Sequence, residues 1–329
     1  MTYTMSSSAK SALAIPATQG WDYGDFPYGL EPLTLPHPHQ AAARSGTLEQ
    51  SGMEQAWLTF LDGAGMPQRT EPAAGDQLER LFWFRWITGH QISFIIWRLL
   101  AVALQRVGED DGDRHELATA VIQYVRAYSA MLLYTSSCSK AVYTTMIRPS
   151  MYRVHKTFSG TWAPDYPPVR GLFHGRKIPP VLTGQLDELM EEIRLSQCVH
   201  YGVAAKLVDG ARSLMQRSFE EGGSKLHPRP WGSIFDCYFL TVRAQVSAQE
   251  IAVQLLRRQR AVAMDLATNG LYPRETPGRD EFPPPLLSPD VTACGDDIAG
   301  IMYRVGGLAA GLPPDVVCSP QAVAWAGRA

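Results

Sequence analysis

The feature that most constrains this chain is one long apolar stretch, DQLERLFWFRWITGHQISFIIWRLLAVALQRV, which runs from Asp76 to Val107. Apolar residues would lie on almost every side of a helix formed by this stretch. A helix that is hydrophobic all round is stable only where other parts of the protein cover it. The sequence therefore predicts one central helix over Asp76–Val107, around which the rest of the chain packs.

His90 lies near the middle of that predicted helix. An ionisable side chain in such surroundings needs a hydrogen-bonding partner or a chemical role. Two interpretations follow from the residues alone. Either His90 is a core residue satisfied by a carbonyl oxygen, or it is a functional group that acts on a bound molecule.

The composition narrows the class of protein. Hydrophobic residues make up 45% and charged residues 19% of the 329 residues, and the formal net charge is −2. Because no large basic block is present, we expect no nucleic-acid partner. The five cysteines are an odd number and none forms a C-x-x-C motif, which argues against a disulfide framework and a structural zinc site.

The stretch Leu81–Leu104 is long enough to cross a membrane. Polar and charged residues interrupt it, however, and each would be costly in lipid: Arg85, His90, Gln91 and Arg98. The N-terminus also lacks the basic and apolar regions of a signal peptide. We therefore expect no membrane association and a cytoplasmic location.

The chain divides into two parts by its pattern. Residues 1–50 are rich in Pro, Gly and Ser and predict an extended N-terminal arm, which would suit contact with a partner subunit in a homodimer. Residues 51–329 predict a single helical domain. Helical spacing indicates further helices over His115–Tyr134, Thr183–Glu220 and Ser233–Asn269, with a short one at Asp297–Ala310. No segment of more than four residues has a strand pattern, so the predicted fold class is all-α.

Two stretches resemble a known group of enzymes. GHQISFIIWRLL (Gly89–Leu100) is similar to the HQ-x-x-E-[LI]-W-x-x-[LM]-L helix of tryptophan 2,3-dioxygenases, with Phe94 where that family usually has Glu. IRPSMYRVHKTFSGTWAPDY (Ile147–Tyr166) stands where that family has an arginine and then an S-P-A-S-G-F loop. With the later helix that carries a lone histidine, they resemble the histidine-ligated haem-dependent aromatic oxygenases. Over Asp76–Asp265 the chain looks most like the bacterial L-tyrosine 3-hydroxylases of natural-product pathways.

This resemblance implies a tryptophan 2,3-dioxygenase-like helical bundle around a haem. Because neither C-x-x-C-H nor H-x-x-x-C occurs, we expect haem b that is bound without a covalent link. The implied axial ligand of the iron is His200, since the small residues Gly202, Ala204 and Ala205 would let a flat macrocycle lie close. The alternative ligand is His227, in KLHPRPW.

His90 would then lie on the distal side of the haem. A histidine that titrates near neutral pH could move a proton of hydrogen peroxide. His90 could instead hydrogen-bond the substrate phenol and orient the ring.

The stretch after the second predicted helix supplies the candidate substrate-binding residues. The fork of an arginine suits an amino-acid carboxylate, which makes Arg148 the candidate and leaves Arg153 or Arg126 as alternatives. Phe158 and Trp162 are candidates to line an aromatic-substrate pocket. Ser159 would either hydrogen-bond the oxidant or stabilise its own turn.

The function that the resemblance implies is hydroxylation of L-tyrosine ortho to its phenol hydroxyl. The oxidant would be hydrogen peroxide and the product L-DOPA. Two alternatives remain: an indole-type aromatic dioxygenase, and a helical haem-binding or small-ligand-binding protein without turnover.

Overall fold

The computed structural model describes residues 30–38, 40, 42, 57, 72–108, 113–176, 178–208, 228–273 and 282–318. The described parts are mostly helical, as predicted. Two strands of three residues each are the departure from an all-α fold. The elements are β1 (Leu33–Leu35), α1 (Asp76–Gly108), α2 (Arg114–Thr135), α3 (Lys140–Val142), a π-helical turn (Tyr143–Ile147), α4 (Arg148–Val154), a 3₁₀ turn (Gly160–Trp162), α5 (Arg170–Phe173), a 3₁₀ turn (Pro180–Gln185), α6 (Leu186–Leu207), α7 (Pro228–Tyr238), β2 (Thr241–Arg243), α8 (Ala248–Asn269), a 3₁₀ turn (Pro284–Leu287), α9 (Pro289–Asp296), α10 (Ile298–Ala309) and α11 (Pro314–Val317).

The predicted central helix is confirmed as α1, which extends one residue further, to Gly108. Most side chains between Leu81 and Leu100 are buried. Helix α1 packs against α2 and α8, and α2 in turn contacts α6 and α10. Gly89 allows α1 and α2 to approach closely, because a Cβ atom there would lie 2.4 Å from Cγ2 of Thr135.

Among the described residues, one helix, Gln77–Gly108, is long and apolar enough to cross a bilayer. Other parts of the protein bury 72% of its most apolar window. Two of its polar side chains also have partners in the protein. Gln91 donates to the carbonyl of Phe239, and Arg98 donates to the carbonyl of Pro38.

A fully buried ion pair joins α1 to α8. Nε and Nη2 of Arg85 donate to the two carboxylate oxygens of Asp265 at 2.7 and 2.9 Å, and both side chains are 0% exposed. The Tyr134 hydroxyl on α2 and the Asn269 amide also donate to this carboxylate. Such a pair is stable in an apolar interior only when its remaining polar atoms are hydrogen-bonded, as they are here.

The described part of the predicted N-terminal arm is built into the core of the chain itself. Leu33 and Leu35 are fully buried, and β1 pairs in parallel with β2. The buried guanidinium of Arg258 donates to the carbonyls of Glu31 and Pro32. Residues 1–29, most of 39–50 and the predicted boundary at residue 50 lie outside the described residues.

The prediction of one helix over Ser233–Asn269 is wrong, because α7 ends at Tyr238 and α8 begins at Ala248. The backbone of Leu240 has φ of 52°, which breaks the helix, and β2 follows it. Ser247 then caps α8 in a capping box with Glu250. This Ser-x-x-Glu signal is readable in the sequence and marks a helix start.

The ion pair gives a stability prediction. Asp265→Asn leaves the Arg85 charge buried without its counter-ion, so the free energy of unfolding should fall by about 3–5 kcal/mol. The double variant Arg85→Met/Asp265→Leu should recover much of that loss, because it removes both charges. Urea unfolding of each variant measures the effect.

Asp297 provides the matched control, since its ion pair with Arg304 is partly exposed, with 43% of the Asp297 side chain accessible. Asp297→Asn should cost less than about 1 kcal/mol. Equal losses for Asp265→Asn and Asp297→Asn would contradict a special role for the buried pair.

Candidate active site

Within the described residues, a hydrogen bond engages one ring nitrogen of His90. Its Nδ1 lies 2.6 Å from the carbonyl oxygen of Trp86, one helical turn earlier. A carbonyl oxygen only accepts hydrogen bonds, so Nδ1 carries the proton and Nε2 keeps its lone pair. The carbonyl-bonded interpretation from the sequence is therefore correct for one nitrogen and leaves the other available for chemistry.

Burial lowers the pKa of His90 from 6.5 to about 4, although the bond to the Trp86 carbonyl raises it. The ring is therefore neutral at physiological pH. This corrects the expectation of a histidine that titrates near neutral pH, because the apolar surroundings disfavour the charged form. Over the usual pH range His90 can act as a base or as a hydrogen-bond acceptor at Nε2.

Three aromatic rings contact the half-buried His90 imidazole. The Phe239 ring is stacked on it with centroids 4.6 Å apart, and the Trp86 ring is tilted at 4.2 Å. Phe94, one turn further along α1, lies 6.3 Å away. These contacts fix the plane of the imidazole and create apolar surroundings that suit an aromatic ligand.

Phe94 explains one departure from the resembling helix. The side chain is 1% exposed and packs against Phe235 and Phe239. A glutamate at this position would place a carboxylate among aromatic rings. The phenylalanine instead extends the aromatic surroundings of His90.

Phe158 and Trp162 belong to the same aromatic cluster. The buried Phe158 ring lies 4.7 Å from Tyr238 and 6.2 Å from Phe239, the ring that stacks on His90. Trp162 lies 5.4 Å from Phe158 and 4.2 Å from Trp231. Phe158 thus shares the neighbour Phe239 with His90, and Trp162 lies one ring further away, against Phe158.

Ser159 is buried in the turn between these two aromatic residues. Its hydroxyl lies 2.7 Å from that of Thr161, and its carbonyl accepts a hydrogen bond from the Trp162 backbone. This arrangement is that of a turn-stabilising hydroxyl. A contact between Ser159 and an oxidant stays a prediction.

Arg148 is the first residue of α4 and follows the π-helical turn directly. Its guanidinium lies over the Tyr152 ring, 4.3 Å from the centroid. Its Nη1 is buried and has no hydrogen-bond partner within the described part of the chain. A buried charged nitrogen without a partner is costly, so this atom is suited to an anionic ligand.

The two alternative arginines are placed differently. Arg126 forms an ion pair with Glu192 at 2.5 Å, so its guanidinium is already engaged. Arg153 is exposed on the surface of α4. Of the three, Arg148 has the geometry that best suits a carboxylate ligand.

His200, the predicted axial ligand, lies exposed on α6 beside Tyr201. The close approach that Gly202 permits is made by Leu286, whose Cδ2 would lie 2.6 Å from a Cβ there. No contact among the described residues joins His200 to the rings around His90. The assignment of His200 stays a prediction, and His227 lies outside the described residues.

The described residues include no group of three or more His, Cys, Asp or Glu side chains that could hold a bare metal ion. A haem iron needs less from the protein, namely one or two axial nitrogens. In His90 the Nδ1–H is held by a carbonyl and Nε2 is unprotonated, so this nitrogen could donate its lone pair to an iron or accept a hydrogen bond near one. The donor chemistry of His90 therefore fits a haem.

Sequence reasoning missed the contribution of α7. Its aromatic residues Trp231, Phe235 and Tyr238 recur at the spacing of one helix face, and Phe239 follows directly. This stripe provides the ring that stacks on His90 and the hydroxyl that bonds Trp86. The spacing was readable from the sequence, but the continuous helix predicted from Ser233 concealed it.

One comparison with known proteins identifies a relative. A family model described as SfmD 3-methyl-L-tyrosine peroxygenase matches residues 39–179. No curated protein shows significant similarity to the chain. The matched segment includes His90, Arg148, Phe158 and Trp162, whereas α6 and α7 lie beyond it. The match covers less than half of the 329 residues, so it shows a similarity to this peroxygenase family over that segment.

Proposed function

We propose that this protein is a haem-dependent peroxygenase that hydroxylates L-tyrosine ortho to its phenol hydroxyl and releases L-DOPA. Hydrogen peroxide is the oxidant, and the enzyme acts in a natural-product pathway as a cytoplasmic homodimer. The observation that carries the proposal is the neutral His90, with an available Nε2, inside an aromatic cluster. The peroxygenase family match over residues 39–179 gives the reaction class.

His90 has two possible tasks in this reaction. Its Nε2 can accept a proton from hydrogen peroxide, or it can accept a hydrogen bond from the substrate phenol and so orient the ring. Both tasks use the neutral imidazole, but the low pKa of His90 makes it a weak proton acceptor and so favours the hydrogen bond to the phenol. When bound, haem b supplies the oxidising iron.

The remaining residues bind and orient the substrate. Phe158 and Trp162 offer apolar faces to its ring and exclude water. The Nη1 of Arg148, which has no hydrogen-bond partner among the described residues, pairs with the amino-acid carboxylate. The aromatic cluster and Arg148 together favour an aromatic amino acid over a simple phenol.

A second candidate substrate comes from the family description, which names 3-methyl-L-tyrosine. A methyl group at one ortho carbon would leave the other free for hydroxylation. Turnover of both amino acids in parallel decides between them.

The two alternative functions have less support. An indole dioxygenase would consume O₂ and need no peroxide, whereas the family match is to a peroxygenase. A carrier without turnover has no need for a buried arginine nitrogen that lacks a partner.

We propose His200 as the axial ligand of the iron, with His227 as the alternative. His200→Ala should abolish haem retention and free imidazole should partly restore it, because the cavity can accept the free ligand. The Soret absorbance per polypeptide measures retention. Loss in His227→Ala but not in His200→Ala would reverse the assignment.

His90 gives the test of the proposed function. His90→Ala should retain haem and helical content, while peroxide-driven hydroxylation of L-tyrosine falls by about 10²–10⁴-fold, as is typical when one acid–base group is lost. His115→Ala is the matched control, since His115 is exposed in the first turn of α2. Wild-type turnover by His90→Ala would remove His90 from the reaction.

The pH dependence gives a further check on the same residue. The pKa of His90 lies below its usual value, so the neutral form predominates above about pH 4. The rate that depends on this base should therefore hold from neutral pH down towards pH 5 and fall as the pH drops through about 4. A rate that falls with a midpoint near 6.5 would contradict the assigned state of His90.

Arg148→Leu should raise KM for L-tyrosine far more than KM for tyramine, which lacks the carboxylate. A charge-assisted hydrogen bond contributes about 1.5–3 kcal/mol, or roughly 10- to 150-fold in binding. Arg153→Leu, on the exposed side of the same helix, is the control and should change neither value. Equal effects of Arg148→Leu on both substrates would exclude it as the carboxylate ligand.

A further inference from the structure

We infer that Tyr238 is a positioning residue. Its hydroxyl fixes the position of α1, which carries His90, relative to α4, which carries Arg148. The ring and the carboxylate of one substrate molecule can then be bound at the same time. This inference rests on the proposed function. It concerns a side chain outside the matched family segment.

The hydrogen bonds around Tyr238 run in one direction. The indole Nε1 of Trp86 lies 3.2 Å from the Tyr238 oxygen, and an indole nitrogen only donates. The Ser150 hydroxyl donates to the carbonyl of Ile147 at 2.6 Å and has no second hydrogen. Tyr238 must therefore donate to Ser150, across 2.7 Å. The order is Trp86 to Tyr238 to Ser150 to the Ile147 carbonyl.

Trp86 is held at both ends. Its indole donates to Tyr238, its backbone carbonyl holds Nδ1 of His90, and its ring packs against the imidazole at 4.2 Å. Phe239, next in the chain to Tyr238, stacks on His90. Tyr238 thus acts on His90 through Trp86, and its neighbour Phe239 acts on His90 directly.

The other end of the network reaches the carboxylate side. Ser150 lies two residues after Arg148 on α4, and its hydrogen bond with Tyr238 ties α4 to α7. The bond from Trp86 to the same hydroxyl then connects both helices to α1. The π-helical turn immediately before Arg148 adds a residue to a normal turn and so changes the direction in which α4 presents its side chains. The network therefore links His90 to Arg148, the proposed ligand of the substrate carboxylate.

The Tyr238 hydroxyl is suited to a fixed role. Burial raises the pKa of Tyr238, so it remains a protonated donor. Its ring contacts Phe158 at 4.7 Å and Trp83 at 6.1 Å, contacts that a phenylalanine would retain. Tyr238→Phe consequently removes the two hydrogen bonds and little else.

The test compares Tyr238→Phe with Tyr128→Phe, which removes a phenol on α2 that packs against Trp97 and Phe173 instead. Tyr238→Phe should retain haem and lower kcat for L-tyrosine by about 10- to 100-fold, a typical cost of misplacement. The loss should be smaller for tyramine, which does not engage Arg148. Tyr128→Phe should leave both substrates unaffected. Equal losses for the two substrates in Tyr238→Phe would overturn the inference.

Ser150→Ala provides a second variant on the same network. Ser150→Ala should also lower kcat for L-tyrosine. The double variant Tyr238→Phe/Ser150→Ala should have the same kcat as Tyr238→Phe alone, because the two residues act as a unit. If the loss of kcat in the double variant equals the product of the two single losses, the residues do not share one network.

A readout without turnover separates this inference from the proposed function. The indole N–H resonance of Trp86, identified by its absence in Trp86→Phe, should shift in Tyr238→Phe and remain in place in Tyr128→Phe. An unshifted signal would overturn the inference whatever the activity of the protein. If the unaltered protein hydroxylates neither L-tyrosine nor 3-methyl-L-tyrosine, the proposed function is overturned instead.

Discussion

The rest of the structure depends on the buried pair between Arg85 and Asp265. The pair fixes how α1 is rotated against α8, and Tyr134 on α2 donates to the same carboxylate. Five residues beyond Arg85, His90 faces the aromatic side of α7. Because a helix turns as a rigid body, an interaction that fixes Arg85 also fixes where His90 points. Stability and chemistry are thus coupled along one helix.

The aromatic cluster determines the chemical state of His90. Apolar rings lower the pKa of the imidazole, and the Trp86 carbonyl selects the nitrogen that keeps the proton. Together they yield a neutral base with its lone pair on Nε2. Arg148 complements it, because a fixed positive charge with an unused nitrogen suits the acidic end of an amino acid. The proposed reaction needs both properties.

The sequence alone predicted what depends on local pattern. The apolar character of Asp76–Val107 on almost every side identified α1 and its lone histidine. The polar and aromatic residues around Arg148 identified a second segment of the candidate site. It could not predict the network centred on Tyr238, because Trp86 and Ser150 are far from it in the chain and meet only through tertiary packing. The pKa of His90 was misjudged for the same reason, since the stacking ring of Phe239 comes from a distant segment.

Isotopically labelled hydrogen peroxide gives the most direct test of the central claim. The haem-loaded protein is incubated with L-tyrosine and the labelled peroxide, and the product is examined by mass spectrometry. The expected product is L-DOPA whose new ring hydroxyl carries the labelled oxygen. A ring-opened product, an unlabelled hydroxyl that derives from O₂, or no product from either L-tyrosine or its 3-methyl derivative would contradict it.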